Sequence, residues 1–312
     1  MLIEKKEVVK MLRCPKSGVM LRESNNVLVA EFDGEKVEYE LIDGYPVLID
    51  FKKSVLKKED IGALSSVIER RSYSGLLGIA KRLVSPTKKV TSGNVGYLLD
   101  ILLKGKDSAL VLIVGGGSIG KGMNPLYDDP RIALVSFDIY ASPEVQFLAD
   151  AHNIPLPDNT FDAVVIQAVL EHVLMPSKVV SEIHRVLKKD GIVYAETPFL
   201  QHVHEGAYDF TRFTESGHRY LFRKFELIKS GASAGTGTQL LWSIDYFFRG
   251  LFRSRKIGKL AKLCFFWLQY CDKIIPDAYN IDSASGVFLL GRKKSGEISA
   301  KEIIAHYKGA QN

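Results

Sequence analysis

The sequence predicts an α/β protein: a seven-stranded, mostly parallel sheet with helices on both faces, preceded by a small β-rich unit. Three observations carry this. Ala109-Leu-Val-Leu-Ile-Val114 is an apolar, β-branched run that stops at Gly115-Gly-Gly-Ser-Ile-Gly120, as a buried strand feeding a glycine turn does. Further apolar runs, Ile132 to Phe137 and Val145 to Ala149, end on Asp138 and Asp150, and Phe161 to Gln167 ends on an amide. Helical or loop segments alternate with these runs, which indicates a parallel sheet whose carboxyl edge holds a ligand.

In chain order, residues 1–51 read as the small β unit. Its strands are expected at Val27 to Glu31 and Val37 to Leu41, joined at Asp33-Gly34. Met1 to Glu7 lacks the apolar stretch of a secretory leader. Three cysteines, Cys14, Cys264 and Cys271, are too few for a disulfide framework, so the expected location is the cytoplasm. Lysine and arginine exceed aspartate and glutamate by 42 to 36, a formal charge of +6. Most of that surplus falls in residues 52–95, among them Lys52, Lys53, Arg70, Arg71, Lys81 and Arg82. Ile61, Leu64, Val67 and Ile68, then Leu76, Leu77 and Ile79, predict short amphipathic helices there. A polyanion-binding surface and a solvated linker both fit. Aromatic residues do not interleave with the charges, so nucleic acid is not the expected partner.

Residues 96–294 carry the sheet. Gly96 to Leu103 predicts a helix leading into the first strand. Gly115 and Gly117 lack Cβ, so the backbone can turn sharply and lie against a ligand with its amides free to donate. Asp138, at the tip of the second strand, suits a pair of ribose hydroxyls, because a carboxylate accepts two hydrogen bonds at once. The spacing of Gly115, Gly117 and Gly120 also fits a dinucleotide fingerprint, which keeps a nicotinamide enzyme open. Glu171-His172 reads as a local hydrogen-bonding device after strand four. Pro176 to Lys188 predicts a helix, and Ile192 to Glu196 the fifth strand.

The tract Thr197 to Thr214 leaves the same edge and is rich in His, Tyr, Asp and Arg. It is the candidate acceptor site, with His202 and His204 as candidate bases and Tyr208, Asp209 and Arg212 as candidate substrate contacts. Strands six and seven are expected at Phe225 to Ile228 and Gly286 to Gly291. Between them, residues 235–282 form an aromatic and basic insertion, read as a helical lid, a homodimer surface or an interfacial hairpin giving peripheral membrane contact. Its charges exclude an uninterrupted membrane span. Residues 295–312 are a C-terminal tail.

Several linked motifs resemble one family. Asp150-Ala-His-Asn-Ile-Pro-Leu-Pro-Asp-Asn-Thr-Phe-Asp162, the run ending at Glu171-His172, and Glu182-Ile-His-Arg-Val-Leu-Lys-Lys-Asp-Gly191 resemble the class I S-adenosylmethionine-dependent methyltransferases, of the methyltransferase type 11 group. The likeness covers roughly Leu98 to Lys229 and implies a Rossmann-like fold with S-adenosylmethionine as cofactor. By that resemblance Gly115 and Gly117 border the methionine moiety and Asp138 holds the ribose. Asp150 accepts from the adenine amino group with Ala151 beside it, and Gln167 lies where strand four opens onto the cofactor. The sequence departs from the family at Ile113, where an acidic residue is usual.

The 197–214 tract looks like one found in methyltransferases of glycan and natural-product pathways, which implies a small-molecule, sugar or glycan-type acceptor. Leu12-Arg-Cys-Pro-Lys-Ser-Gly18, with Asp43-Gly-Tyr-Pro-Val-Leu-Ile49, resembles a zinc-ribbon domain fused to or activating some methyltransferases. Cys14 stands there without the cysteine pairs a zinc site needs, so a degenerate ribbon and no metal are expected. The competing readings are an NAD(P)-dependent oxidoreductase, a non-catalytic scaffold that keeps the fold, and an RNA methyltransferase.

Overall fold

The computed structural model describes residues 1–24, 27–61 and 89–311. The short helix α1 (Lys5–Val9) precedes β1 (Arg22–Ser24), β2 (Val27–Phe32) and β3 (Glu35–Tyr39), which form a three-stranded antiparallel sheet. The turn between β2 and β3 falls at Asp33-Gly34, both at positive φ, as a two-residue hairpin of this hand requires. The pair β4 (Leu41–Ile42) and β5 (Tyr45–Leu48) turns the same way at Asp43-Gly44. Cys14 is buried, with Sγ 3.0 Å from the Tyr39 hydroxyl.

Helix α2 (Lys89–Leu102) leads into β6 (Ala109–Val114). Then come α3 (Asn124–Asp128), β7 (Ile132–Asp138), β8 (Phe147–Ala149), β9 (Phe161–Gln167), α4 (Pro176–Val186) and β10 (Leu187–Pro198). The chain continues through α5 (Glu215–Leu221), β11 (Phe225–Ala234), an insertion holding α6 (Thr236–Leu251), α7 (Arg255–Cys264) and α8 (Asp277–Asp282), then β12 (Gly286–Lys293) and α9 (Ala300–Ala305). The main sheet runs β11-β12-β10-β9-β6-β7-β8-β5-β4. From β10 to β5 neighbouring strands pair parallel, while β12 is antiparallel to both β10 and β11.

Alternation along the strands builds two cores. Leu112 and Val114 face one side with Val164, Ile166, Val193 and Phe137, and Val179, Val180, Ile183 and Val186 of α4 cover them. Val111 and Ile113 face the other side with Leu134, Val165 and Tyr194, covered by Val95, Leu98 and Leu102 of α2. Central strands buried on both faces explain why the sequence reads as continuous apolar runs rather than alternating ones. Truncating a fully buried ring such as Phe161 to alanine removes about 3–5 kcal/mol of stability.

The sheet differs from the expected seven strands: among the described residues it has nine, because β5 and β4 extend it. β5 pairs parallel with β8 through Val47 opposite Leu148 and Leu48 opposite Ala149. The physical reason is the edge. A short third strand would leave unpaired amides and carbonyls, and an apolar segment from the N-terminal region satisfies them. The Leu2 bridge to Leu134 does the same for β7, where the Ile3 amide donates to the Leu134 carbonyl at 3.0 Å. Val8, Leu12 and Leu21 lie in the same core as Leu112 and Phe137.

The insertion expected at residues 235–282 is helical. It comprises α6 (Thr236–Leu251), α7 (Arg255–Cys264), a 3-10 segment (Phe266–Lys273) and α8 (Asp277–Asp282). Asp272 ties its two ends, its carboxylate accepting from the Gly235 amide at 3.0 Å and the Gly237 amide at 2.7 Å. Phe247, Phe252, Leu260 and Trp267 are exposed on it. Among the described residues no helix is long and apolar enough to cross a membrane. The amphipathic helices expected between 62 and 88 lie outside the described residues.

His218 of α5 is buried against Phe222, ring centroids 5.1 Å apart, and burial pushes its pKa down to about 3. Its folded pKa lies below the unfolded value near 6.5, so the unfolded chain takes up the proton first as pH falls. Stability should therefore decline below pH 6.5 by about 1.4 kcal/mol per pH unit from this group. Urea melts at pH 7 and pH 5 should separate by about 2 kcal/mol more in the native chain than in His218→Gln.

Candidate active site

The parallel register brings Gly115, Asp138, Gln167 and Glu196 to one sheet edge. Val114 pairs with Phe137 and with Ile166, and Gln167 with Glu196. Gly115 follows β6 at φ +73°, and a Cβ there would fall 2.2 Å from Val169 Cγ2. At Gly117 a Cβ would meet the Asp138 carboxylate at 2.7 Å, and at Gly120 it would overlap the Gln167 amide oxygen. The turn is a cradle whose floor is already occupied by the strand-end side chains, so only backbone fits above them.

Asp138 is half-buried at the tip of β7. Its Oδ2 accepts from the Gly117 amide at 2.7 Å and its Oδ1 from the Ile139 amide at 2.6 Å. Burial pushes its carboxyl above the ordinary value, against the pull of those amides and that of Tyr140. A bound group offering hydroxyls would restore the solvation that the carboxylate has lost. These features fit the ribose of a nucleoside cofactor.

Asp150, at the end of β8, is held differently. Its Oδ1 accepts from the His152 amide at 2.9 Å and from His152 Nδ1 at 2.6 Å, and its Oδ2 from the Ser54 hydroxyl. Burial would raise this carboxyl, but the hydrogen bonds from His152 and Ser54 outweigh it and hold it below its ordinary value. His152 Nε2 accepts from the Met175 amide at 3.2 Å, which assigns the ring proton to Nδ1. Ala151 is buried beside it. Ser54 was not singled out in the sequence, because nothing local marks a serine that crosses to a carboxylate 96 residues away.

Gln167 donates to Glu196 Oε2 at 2.7 Å. Buried Glu196 also accepts from Thr91 at 2.6 Å and from the Tyr194 hydroxyl at 2.5 Å. This network fixes the floor of the edge, and no local pattern marks Thr91, 105 residues from Glu196. Ala168 follows at φ 56°, a conformation costing a non-glycine residue about 1–2 kcal/mol. Ile113 is buried within the apolar core.

The loop from Gln201 to Thr211 folds over this edge. The Phe210 amide donates to the Glu171 carbonyl at 2.8 Å, and His172 Nδ1 lies 2.8 Å from the Tyr208 carbonyl. Arg212 and Asp209 form a close ion pair, and Arg212 also donates to the carbonyls of Gln201 at 3.0 Å and Thr211 at 2.9 Å. Burial would raise the Asp209 carboxyl, but Arg212 and the His204 amide hold it at about 2. Two of the three candidate substrate contacts thus pair their charges inside the loop and set its shape. His202 stacks on Tyr246 of the insertion, centroids 4.1 Å apart, and its buried Nδ1 has no hydrogen-bond partner. Burial lowers its pKa, so the ring is neutral at pH 7. His204 turns elsewhere, its Nε2 3.8 Å from Glu171 Oε1 and its Nδ1 3.4 Å from Asp209 Oδ2.

With this geometry in view, residues 132–195 match the family model of the methyltransferase domain. That match supports a methyltransferase and indicates S-adenosylmethionine as its cofactor. The chain is similar to a structure from Galdieria sulphuraria assigned as a sarcosine dimethylglycine methyltransferase: 14% identity, 65% of this chain and 85% of that one, TM-score 0.44. It is similar to the Haloferax volcanii complex of a methyltransferase with the activator Trm112, at 17% identity over 71% of this chain and 96% of that one, TM-score 0.44. Haemonchus contortus phosphoethanolamine N-methyltransferase 2, solved with S-adenosyl-L-methionine, gives 17% identity over 80% and 62%, TM-score 0.42. Superpositions of this quality leave activity, substrate and partner with those proteins. No curated protein matches the chain.

Gly117→Ala puts a methyl group 2.7 Å from the Asp138 carboxylate and competes with its hydrogen bond. Calorimetric titration should show S-adenosylhomocysteine binding weakened by about tenfold or more in this variant, with the melting temperature within a few degrees of the native chain.

Proposed function

We propose that this chain transfers a methyl group from S-adenosylmethionine to a hydroxyl or amine of a small-molecule, sugar or glycan-type acceptor. One observation carries the reading: the glycine cradle with its half-buried carboxylate and the histidine-bearing loop share one sheet edge, joined through the turn 169–173. In this proposal Gly115 and Gly117 border the methionine end, and Asp138 binds the ribose hydroxyls. Asp150 takes the adenine amino group with Ala151 beside it, and Gln167, fixed by Glu196, faces the reacting end.

When bound, the cofactor supplies a methyl group already activated on a sulfonium, so the protein has mainly to align and to exclude water. The loop performs the alignment, and the Asp209–Arg212 pair keeps its shape. Tyr208 is the acceptor contact that the ion pair leaves available. A hydroxyl nucleophile must shed its proton, and His202 takes it at the partnerless Nδ1, with Tyr246 holding the ring. His204 is the less suited of the two histidines, because both its nitrogens face carboxylates. The exposed aromatic residues of the insertion supply the contact with a second copy or with a lipid interface.

Isothermal titration with S-adenosylhomocysteine, beside an NAD control, tests the cofactor. Binding should be weakened by about 10–100-fold in Asp138→Ala, the worth of hydrogen bonds to a charged group. Preference for NAD would overturn the reading in favour of an oxidoreductase, and absence of binding to either would favour a scaffold. With a hydroxyl acceptor, His202→Ala should lower kcat by about 10²–10⁴-fold with cofactor affinity unchanged. Because burial depresses the His202 pKa, the native kcat should hold below pH 6.5 and fall only as that lower pKa is crossed. A flat pH profile and an unchanged kcat in the variant would remove His202 from the role of base.

A further inference from the structure

Glu171, His172 and His204 meet where the 3-10 turn after β9 (Leu170–His172) touches the loop. Each offers one ligand atom, and the three atoms lie within 4.8 Å of one another. His172 Nε2 is 3.6 Å and His204 Nε2 3.8 Å from Glu171 Oε1. Those separations are too long for direct hydrogen bonds and slightly wider than the roughly 3.3 Å between ligand atoms around a tetrahedral ion with bonds of about 2.0 Å. Glu171 Oε1 is thus within a few tenths of an ångström of ligand spacing from each histidine, and the two imidazole ligand atoms, within 4.8 Å of each other, would turn inward on a bound cation. The two rings stand edge to face, centroids 4.9 Å apart, and the Glu171 carboxylate beside them is buried.

The partners of the other ring nitrogens point the same way. His172 Nδ1 lies 2.8 Å from the Tyr208 carbonyl, an acceptor that fixes the proton on Nδ1 and leaves the Nε2 lone pair free. His204 Nδ1 faces the His202 carbonyl at 3.2 Å and the Asp209 carboxylate at 3.4 Å, and Arg212 in turn fixes that carboxylate. Metal-bound histidines are characteristically oriented by a carbonyl or carboxylate on the second nitrogen, and here both are.

We infer that Glu171 Oε1, His172 Nε2 and His204 Nε2 form a binding site for a divalent transition-metal ion, zinc being the ion suited to three protein ligands with one open position. The site goes beyond the methyl-transfer reading and does not need it. Where that reading holds, a cation held by Glu171, His172 and His204 would make an acceptor hydroxyl bound to it more acidic.

The test uses the full chain, stripped with a chelator, with neither cofactor nor acceptor present, so its outcome is independent of S-adenosylhomocysteine binding. Elemental analysis after dialysis against Zn²⁺ should find one equivalent, and Co²⁺ should give visible d–d absorption without a thiolate charge-transfer band. His204→Ala, on the loop, and Glu171→Gln, of the same shape, should each weaken Zn²⁺ binding by at least about a hundredfold. Circular dichroism checks that each variant is folded, and the native stoichiometry decides the question if one is not. No stoichiometric uptake, uptake unchanged in folded variants, or a thiolate band from Cys14, Cys264 or Cys271 would each overturn the assignment.

Discussion

The parallel pairing of β9 between β6 and β10 is the constraint on which the rest depends. It aligns Val114 with Ile166 and Gln167 with Glu196, so the strand-end groups of the candidate site's floor stand at the same height. Parallel strands this deeply buried must be apolar along their length, and chemistry can enter only where they stop. The polar residues at those stops pay for their partial burial with hydrogen bonds to one another and to the glycine turn. Gly117 on Asp138 and Gln167 on Glu196 are the clearest cases.

The N-terminal region follows from the same constraint. A parallel sheet ending in the three-residue strand β8 has an open edge, and β5 closes it. That closure carries the chain past Asp150 and delivers the Ser54 hydroxyl to its carboxylate. What reads in sequence as a separate ribbon therefore contributes a strand to the main sheet, and the segment just after it contributes a side chain to the candidate cofactor edge. Its buried Cys14 packs into the core shared with Leu112 and Phe137.

The loop over the edge is built by charge satisfaction. Arg212 and Asp209 neutralise each other and hold the backbone on which His202, His204 and Tyr208 stand. Tyr246 of the insertion stacks on His202, so the element that interrupts the last two strands also bears on the loop. Loop and insertion thus constrain one another across the mouth of the edge.

Strand positions, the glycine turn and the carboxylates at Asp138 and Asp150 were legible in the sequence, because period, β-branching and strand-end chemistry are local properties. So were the turn at Asp33-Gly34 and the helical character of residues 235–282. What only the tertiary structure decided is which side chains meet. Ser54 on Asp150, Thr91 on Glu196 and His204 beside Glu171 join residues 96, 105 and 33 positions apart, as their numbers show. Only the fold shows that the loop closes on Glu171-His172 and that Arg212 donates to loop carbonyls. Sequence fixes which groups stand at the strand ends, through rules that act over a few residues. Their pairing depends on how strands far apart in the chain come into register, and no local rule encodes that.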